Sequence, residues 1–172
     1  MAGGMKVHRF KERLQFSQDH RNEPFWQAVY EKAFPNMEFA MPVTEKSQGQ
    51  YLGIDRVIYL NSGKTLYVDE KLREKVYSDI LLEYLSNDRT QAPGWMEKDL
   101  LIDYMAYAFL PIQKCYLFDW QMLKRTWKYY RNIWIKEFGT VTAKNQGYNT
   151  LSVPVPTELL LSKVSNASII QL

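Results

Sequence analysis

Residues Gly53 to Arg73, GIDRVIYLNSGKTLYVDEKLR, read as a β-hairpin. Gly53 to Leu60 is rich in Ile, Val and Tyr, Thr65 to Leu72 has the same character, and Asn61-Ser62-Gly63-Lys64 supplies the turn residues between them. Side chains alternate along a strand, so Asp55, Val57 and Tyr59 share a face, as do Thr65, Tyr67, Asp69 and Lys71. Glu70 points the other way. A three-residue loop, Asn61 to Gly63 with Gly63 left-handed, puts Leu60 opposite Lys64 and Asp55 opposite Asp69; a two-residue loop, Ser62-Gly63, would set Asp55 opposite Glu70 instead. We favour the first register, which gathers two carboxylates and an ammonium group on one face.

Directly opposed side chains of an antiparallel pair lie about 5 Å apart. At that distance, with an effective dielectric near 20, two carboxylates repel by roughly 3 kcal/mol. A divalent cation turns the repulsion into attraction, and hard ions such as Mg²⁺ take one or two carboxylates together with waters and phosphate oxygens. A lysine beside such a cation can orient or deprotonate an attacking water, or neutralise charge on phosphate. The same residues would also suit an exposed hairpin with ordinary surface charges.

The segment resembles the PD-(D/E)XK nuclease superfamily, in which an acid on one strand and a (D/E)-x-K triplet on the next build a metal site. Here the first acid is Asp55 in G-I-D-R and the triplet is Asp69-Glu70-Lys71 in V-D-E-K, with Ile54 where the family name has proline. The stretch continuing through ILLEYL and PGW to DYMAYAF and CYLF resembles small nuclease-like proteins of bacterial and phage genomes. The resemblance implies a restriction-endonuclease-like mixed β-sheet flanked by helices. It also implies Asp55 and Asp69 as metal ligands, the Glu70 carbonyl as a further ligand, and Lys71 as the catalytic lysine. The implied cofactor is Mg²⁺ or Mn²⁺, and the implied partner is DNA, double-stranded or branched.

Composition is compatible with that expectation. The chain has 172 residues, of which 46% are hydrophobic, enough to bury a core as one domain spanning 1–172. Net charge is +3 and the pI about 8.8, which allows nucleic acid as a partner without demanding it. A single Cys115 excludes an intramolecular disulfide and fits a reducing, cytoplasmic setting. No apolar run approaches the roughly 20 residues of a membrane span, and MAGGMKVHRF lacks the apolar stretch of a secretory signal. Two histidines, His8 and His20, and one cysteine speak against a zinc site. No G-x-G-x-x-G, Walker loop or G-x-S-x-G elbow is present, so nucleotide-binding and serine-hydrolase readings have no anchor. A homodimer is allowed.

Elsewhere, Lys6 to Phe16 is expected as a first helix, and Pro24 to about Phe34 as a second, burying Phe25, Trp26, Val29, Tyr30 and Ala33. In the superfamily the helix before the hairpin often supplies another acid. Glu23 is the candidate, with a plain carboxylate at a helix N-terminus as the other reading. Asn36 to Gln50 is expected to be irregular, with Gln48 and Gln50 able to approach the site. Asp79 to Leu85 is a strand-length apolar run expected at the centre of the sheet, in which Glu83 either joins the metal site or pairs with Arg56 or Arg73. Leu100 to Leu110 and Lys114 to Asp119 are expected as paired strands, with Asp103 and Asp119 as turn or edge residues. Gln121 to Phe138 is the clearest helix: Leu123, Trp127, Tyr130 and Trp134 form its core stripe and Gly139 ends it. Its parallel basic line, Lys124, Lys128 and Arg131, together with Arg56 and Arg73, suits DNA phosphates or a solvated surface. Thr150 to Pro154 reads as a strand and Pro156 to Val164 as a short helix, while Ser165 to Leu172 carries no signal.

These residues lead us to expect an α/β domain with about six strands acting as a Mg²⁺-dependent endonuclease. The alternatives are a catalytically silent nucleic-acid-binding or assembly protein with the same fold, and an enzyme using the acids on another substrate.

Overall fold

The computed structural model describes residues 22–43 and 52–172. They form a mixed α/β fold in two compact units, neither of them a continuous segment: residues 77–99 and 124–163 make one, and the described residues of 20–76, 100–123 and 164–172 the other. Among the described residues the chain passes between the units four times, and none of these crossings carries the glycine, proline or serine run that marks a linker.

The larger unit holds a six-stranded mixed sheet. After helix α1 (Glu23–Ala33) come β1 (Met37–Pro42), β2 (Arg56–Leu60), β3 (Thr65–Arg73), β6 (Tyr104–Phe109), β7 (Lys114–Asp119) and β10 (Ala167–Gln171), hydrogen-bonded in that order across the sheet. All pairs are antiparallel except β3 with β6, which run parallel, Val68 beside Tyr104 through Arg73 beside Phe109. A parallel neighbour needs a long crossover, and here the chain leaves the sheet through residues 77–99 before returning.

The register within the hairpin follows from its turn. The Leu60 N–H donates to the Lys64 carbonyl, the Gly63 N–H donates to the Leu60 carbonyl, and Gly63 has φ +82°, a conformation that costs glycine nothing. Tyr59 therefore pairs with Thr65 and Arg56 with Val68. This is the register of the three-residue loop; its rungs end at Arg56, and Asp55, just before them, donates its N–H to the carbonyl of the same Val68.

One face of the sheet packs on α1. Phe25, Trp26, Val29 and Tyr30 of α1 pack on Ile58, Leu66, Val68, Ala106, Ala108 and Leu117, with Cys115 and Ile170 in the same cluster. The alanines of β6 leave room for the helix rings, and each fully buried large side chain contributes roughly 1.5–3 kcal/mol relative to exposure. Pro24 sits in the first turn of α1, where its missing N–H costs no hydrogen bond.

The smaller unit holds a four-stranded antiparallel sheet, β5 (Ala92–Pro93), β4 (Asp79–Asn87), β9 (Asn149–Pro156) and β8 (Val141–Lys144), in that order. With it go residues 124–138 of helix α2 (Trp120–Phe138) and helix α3 (Thr157–Lys163). Trp127 of α2 stacks on Tyr84 of β4 at 6.5 Å, and Leu123, Trp127 and Trp134 are buried as the stripe requires. Asp119 caps α2 by accepting from the Met122 N–H at 3.0 Å. At the other end Gly139 donates its N–H to Ile135.

Asp79 to Leu85 lies inside a sheet, but of this second one, which an apolar run cannot reveal because it carries no information about its partners. Asn36 to Gln50, expected to be irregular, contains β1, and the tail contains β10; both are edge strands with few buried residues, so their alternation is faint. The helix expected at Lys6 to Phe16, and Gln48 and Gln50, lie outside the described residues.

Close approach makes Gly94 a sensitive position. A Cβ there would stand 2.4 Å from the Glu83 carbonyl oxygen, backbone that cannot swing aside, where the Gly94 N–H bonds Tyr84 and the Met96 N–H bonds Glu83. Gly94→Ala is expected to cost roughly 2–3 kcal/mol by overpacking. Urea unfolding at neutral pH reads this as a lowered midpoint, and an unchanged midpoint would mean the β4–β5 turn gives way freely.

Candidate functional site

Asp55 lies one residue before β2, yet its backbone is held as firmly as if it lay within the strand. Its N–H donates to the Val68 carbonyl at 2.9 Å, and its own carbonyl accepts from the Val43 N–H at 2.8 Å. Its Oδ2 accepts the Glu70 N–H at 2.8 Å, which turns the carboxylate toward β3. Asp69 meets it there, buried at 4% exposure and hydrogen-bonded to it. Lys71, two residues on and on the same face, donates its ammonium to Asp69 Oδ1. The acids and the amine thus converge, and the backbone of β2 and β3 sets their spacing.

Burial raises the Asp69 carboxyl, to about 7; the Lys71 ammonium pulls it down and the Asp55 charge and hydrogen bond push it up. A carboxyl so placed is poised between proton and cation. Among the described residues no group of three or more His, Cys, Asp or Glu is arranged to hold an ion. Two carboxylates with oxygen donors alone fit a hard cation that keeps several waters, as Mg²⁺ does, and do not fit a closed four-ligand zinc site.

The opposite face of the same strands carries the second cluster. Arg56 reaches between helix and sheet: its Nη1 and Nη2 donate to the two Glu23 carboxylate oxygens at 2.8 Å each, and its Nε donates to Glu70 Oε1 at 2.6 Å. The Tyr30 hydroxyl donates to the same Glu70 oxygen at 2.8 Å, and the guanidinium lies 5.5 Å from the Tyr30 ring centre. Burial opposes the Arg56 charge, but Glu23 and Glu70 outweigh it and raise its pKa. Burial also raises Glu70, in part offset by Arg56. The pair of ions is bidentate on the Glu23 side, the strongest geometry for a carboxylate.

This arrangement ties two of the expected residues to the α1 face. Arg56, expected at DNA phosphates, is 1% exposed and paired with two carboxylates. Glu23 is held by that guanidinium on the α1 face and does not complete the acid pair. The Glu70 side chain likewise belongs to the α1 face, and only its backbone borders Asp55. The alternation rule could have found this cluster: Arg56 and Glu70 fall on the core face, where a charge must be paired, and Glu23 and Tyr30 stand two turns apart on one side of the helix.

The basic line of α2 also divides. Lys124 donates to the Met96 and Lys98 carbonyls at 3.0 and 2.8 Å, and Arg131 pairs with Glu97 at 3.1 Å, beside the Trp127 indole that donates to the same carboxylate. Both side chains are used within the protein, and Lys128 is the one of the three that stands exposed. Arg73 ends β3 on the face of Lys71. Glu83 lies in the second sheet opposite Ser152, apart from the unit of the acid pair. No helix of the described residues is long and apolar enough to cross a membrane. No family model, curated protein or solved structure matches the chain.

Proposed function

We propose that this chain is a divalent-cation-dependent nuclease hydrolysing phosphodiester bonds in DNA, an endonuclease of the PD-(D/E)XK kind in a cytoplasmic DNA-processing, phage or defence setting. The observation that carries the reading is the meeting of the Asp55 and Asp69 carboxyl groups, hydrogen-bonded to each other, with the Lys71 ammonium on Asp69. The D…D-x-K residues that produce it are those through which the sequence resembles that superfamily.

Asp55 and Asp69 would hold the cation, Mg²⁺ or Mn²⁺, with the Glu70 carbonyl as the further oxygen the resemblance implies. When bound, the cation supplies Lewis acidity: it polarises the phosphate and lowers the pKa of water. Asp55 is kept in place by three backbone hydrogen bonds, so little reorganisation is needed at the moment of reaction. Lys71 places a positive charge where the phosphate oxygens gain negative charge. From the face it shares with Asp69, its ammonium would also help to orient the attacking water.

A second reading has an observation in its favour. Asp69 is nearly buried and the third acid is tied to Arg56, so the chain would also suit a nucleic-acid-binding or assembly protein that kept the fold without turnover. Incubating supercoiled and branched DNA with Mg²⁺, Mn²⁺ or chelator separates the two. Nicking that needs the cation, and that falls roughly 10²- to 10³-fold in Lys71→Met while Mn²⁺ binding persists, is the expected result. Binding without any cation-dependent nicking would establish the silent protein instead.

A further inference from the structure

Outward from the acid pair, the same face of the large sheet carries a strip of rings. Met41 pairs with Val57 and Val57 with Tyr67; one step farther, Phe39 pairs with Tyr59 and Tyr59 with Thr65. Alternation puts all six on the side of Asp55 and Asp69, away from α1. Phe39 stacks on Tyr59 with ring centres 4.5 Å apart. Phe39, Met41 and Tyr67 are 42%, 51% and 39% exposed, and none of the six side chains is charged.

We infer that this strip is a stacking platform for unpaired bases, and that the substrate of the neighbouring site is single-stranded or frayed nucleic acid. The inference rests on the nuclease reading for the position of the reacting phosphate, and on the strip alone for its ligand. Tyr67 lies two residues from Asp69, about 7 Å along the strand, and Tyr59 lies four from Asp55, about 14 Å. An extended strand with a phosphate at the acid pair covers those distances in a nucleotide or two, which brings its bases over the rings. A duplex keeps its base faces stacked on one another, so only unpaired bases can lie on such rings. Aromatic faces accept any base, so the platform selects strandedness and not sequence. The Tyr67 backbone is fixed, its N–H donating to Asp103 Oδ2 at 2.8 Å and its carbonyl accepting the Asp103 N–H at 2.8 Å. A second copy of this chain is the weaker occupant: β1 is an outer strand, but Pro42 and the irregularity between Met37 and Phe39 interrupt the backbone groups that strand addition needs.

Binding measured with chelator present tests the platform apart from hydrolysis. Fluorescence anisotropy would compare a labelled oligodeoxythymidine with a blunt duplex of equal length. The single strand should bind at least about tenfold tighter, and Tyr67→Ala or Phe39→Ala should each weaken it by about five- to one-hundredfold. Tyr67→Phe should bind as wild type, and Phe39→Leu, which keeps apolar bulk but no ring, should behave as Phe39→Ala. Equal affinity for duplex would overturn the inference, as would ring-deleting variants that bind normally. A dimer in sedimentation that Phe39→Ala dissociates, with oligonucleotide binding unchanged, would assign the strip to a second copy. Strand binding without cleavage in Mg²⁺ would remove the nuclease reading and leave the platform. Cleavage of duplex and single strand alike, insensitive to both rings, would do the reverse.

Discussion

Asp69→Asn is expected to lower cation-dependent DNA hydrolysis by roughly 10³-fold or more while the protein stays folded. A cation at such a site supplies several kcal/mol of charge stabilisation in the transition state, and each 1.36 kcal/mol is a factor of ten in rate. The amide keeps the volume of the carboxylate but removes the charge that opposes Asp55 and holds the ion. Stability should move the other way. The Asp69 carboxyl titrates near 7 in the fold, above its ordinary 3.8, because burial and Asp55 disfavour its charge more than Lys71 favours it. Its protonated form therefore contributes stability that is complete below 3.8 and is lost as pH rises through about 7. Substitution by Asn removes that loss, so without added cation the variant should melt at or above wild type at pH 8 and differ less at pH 5. Nicking assays paired with thermal melts at both pH values make the check. Wild-type cleavage by Asp69→Asn would eliminate the acid pair as the reactive centre, and a collapsed melting temperature would show that Asp69 is held for structure.

How much of this was legible beforehand depended on whether the signal was local. The hairpin was readable because Asn61-Ser62-Gly63 limits the loop to few lengths, and one residue of register decides which acids meet. The stripe of α2 and that of α1 were readable because their apolar spacing is helical and their ends are marked by Gly139 and Pro24. The second sheet was not, since the run from Asp79 to Leu85 would look the same in either sheet and only its long-range pairing with β9 distinguishes them. The edge strands β1, β8 and β10 expose most of their residues, which leaves little alternation to read. Within the site, basic residues were read as partners for phosphate although their neighbours were unknown. Arg56 stands on the face opposite Asp55, and a cation on a core face is a structural partner before it is a ligand contact. The same reasoning, carried through from the alternation already in hand, would have joined Glu23 to Arg56 instead of to the acid pair.

Arg56→Ala should cost about 3–5 kcal/mol of stability, because it strands buried charge. The guanidinium is the only cation bonded to Glu70 among the described contacts, and without it that carboxylate keeps the Tyr30 hydroxyl alone. Glu70 is 10% exposed at its side chain and Glu23 is 35% exposed, so most of the loss falls on Glu70; the Glu23 share is weakened by solvent. Neutralising both partners separates this cost from simple loss of packing. Arg56→Met with Glu70→Gln removes the guanidinium and the Glu70 charge, and should recover much of the stability lost by Arg56→Ala. Acid should also rescue the single variant. Burial raises the Glu70 pKa even in the wild type, and without Arg56 it rises further, so stability present at low pH is lost as pH climbs through the folded value. Urea unfolding of wild type, single and double variants at pH 5 and pH 7 measures all of this. A loss under about 1 kcal/mol, equal at both pH values, would mean that water reaches the cluster and that Arg56 is a surface ion after all. Cleavage supplies the last discrimination: the Glu70 N–H fixes the Asp55 carboxylate, so a β3 loosened by Arg56→Ala should lose activity under conditions where the variant is still folded, and the double variant should regain it.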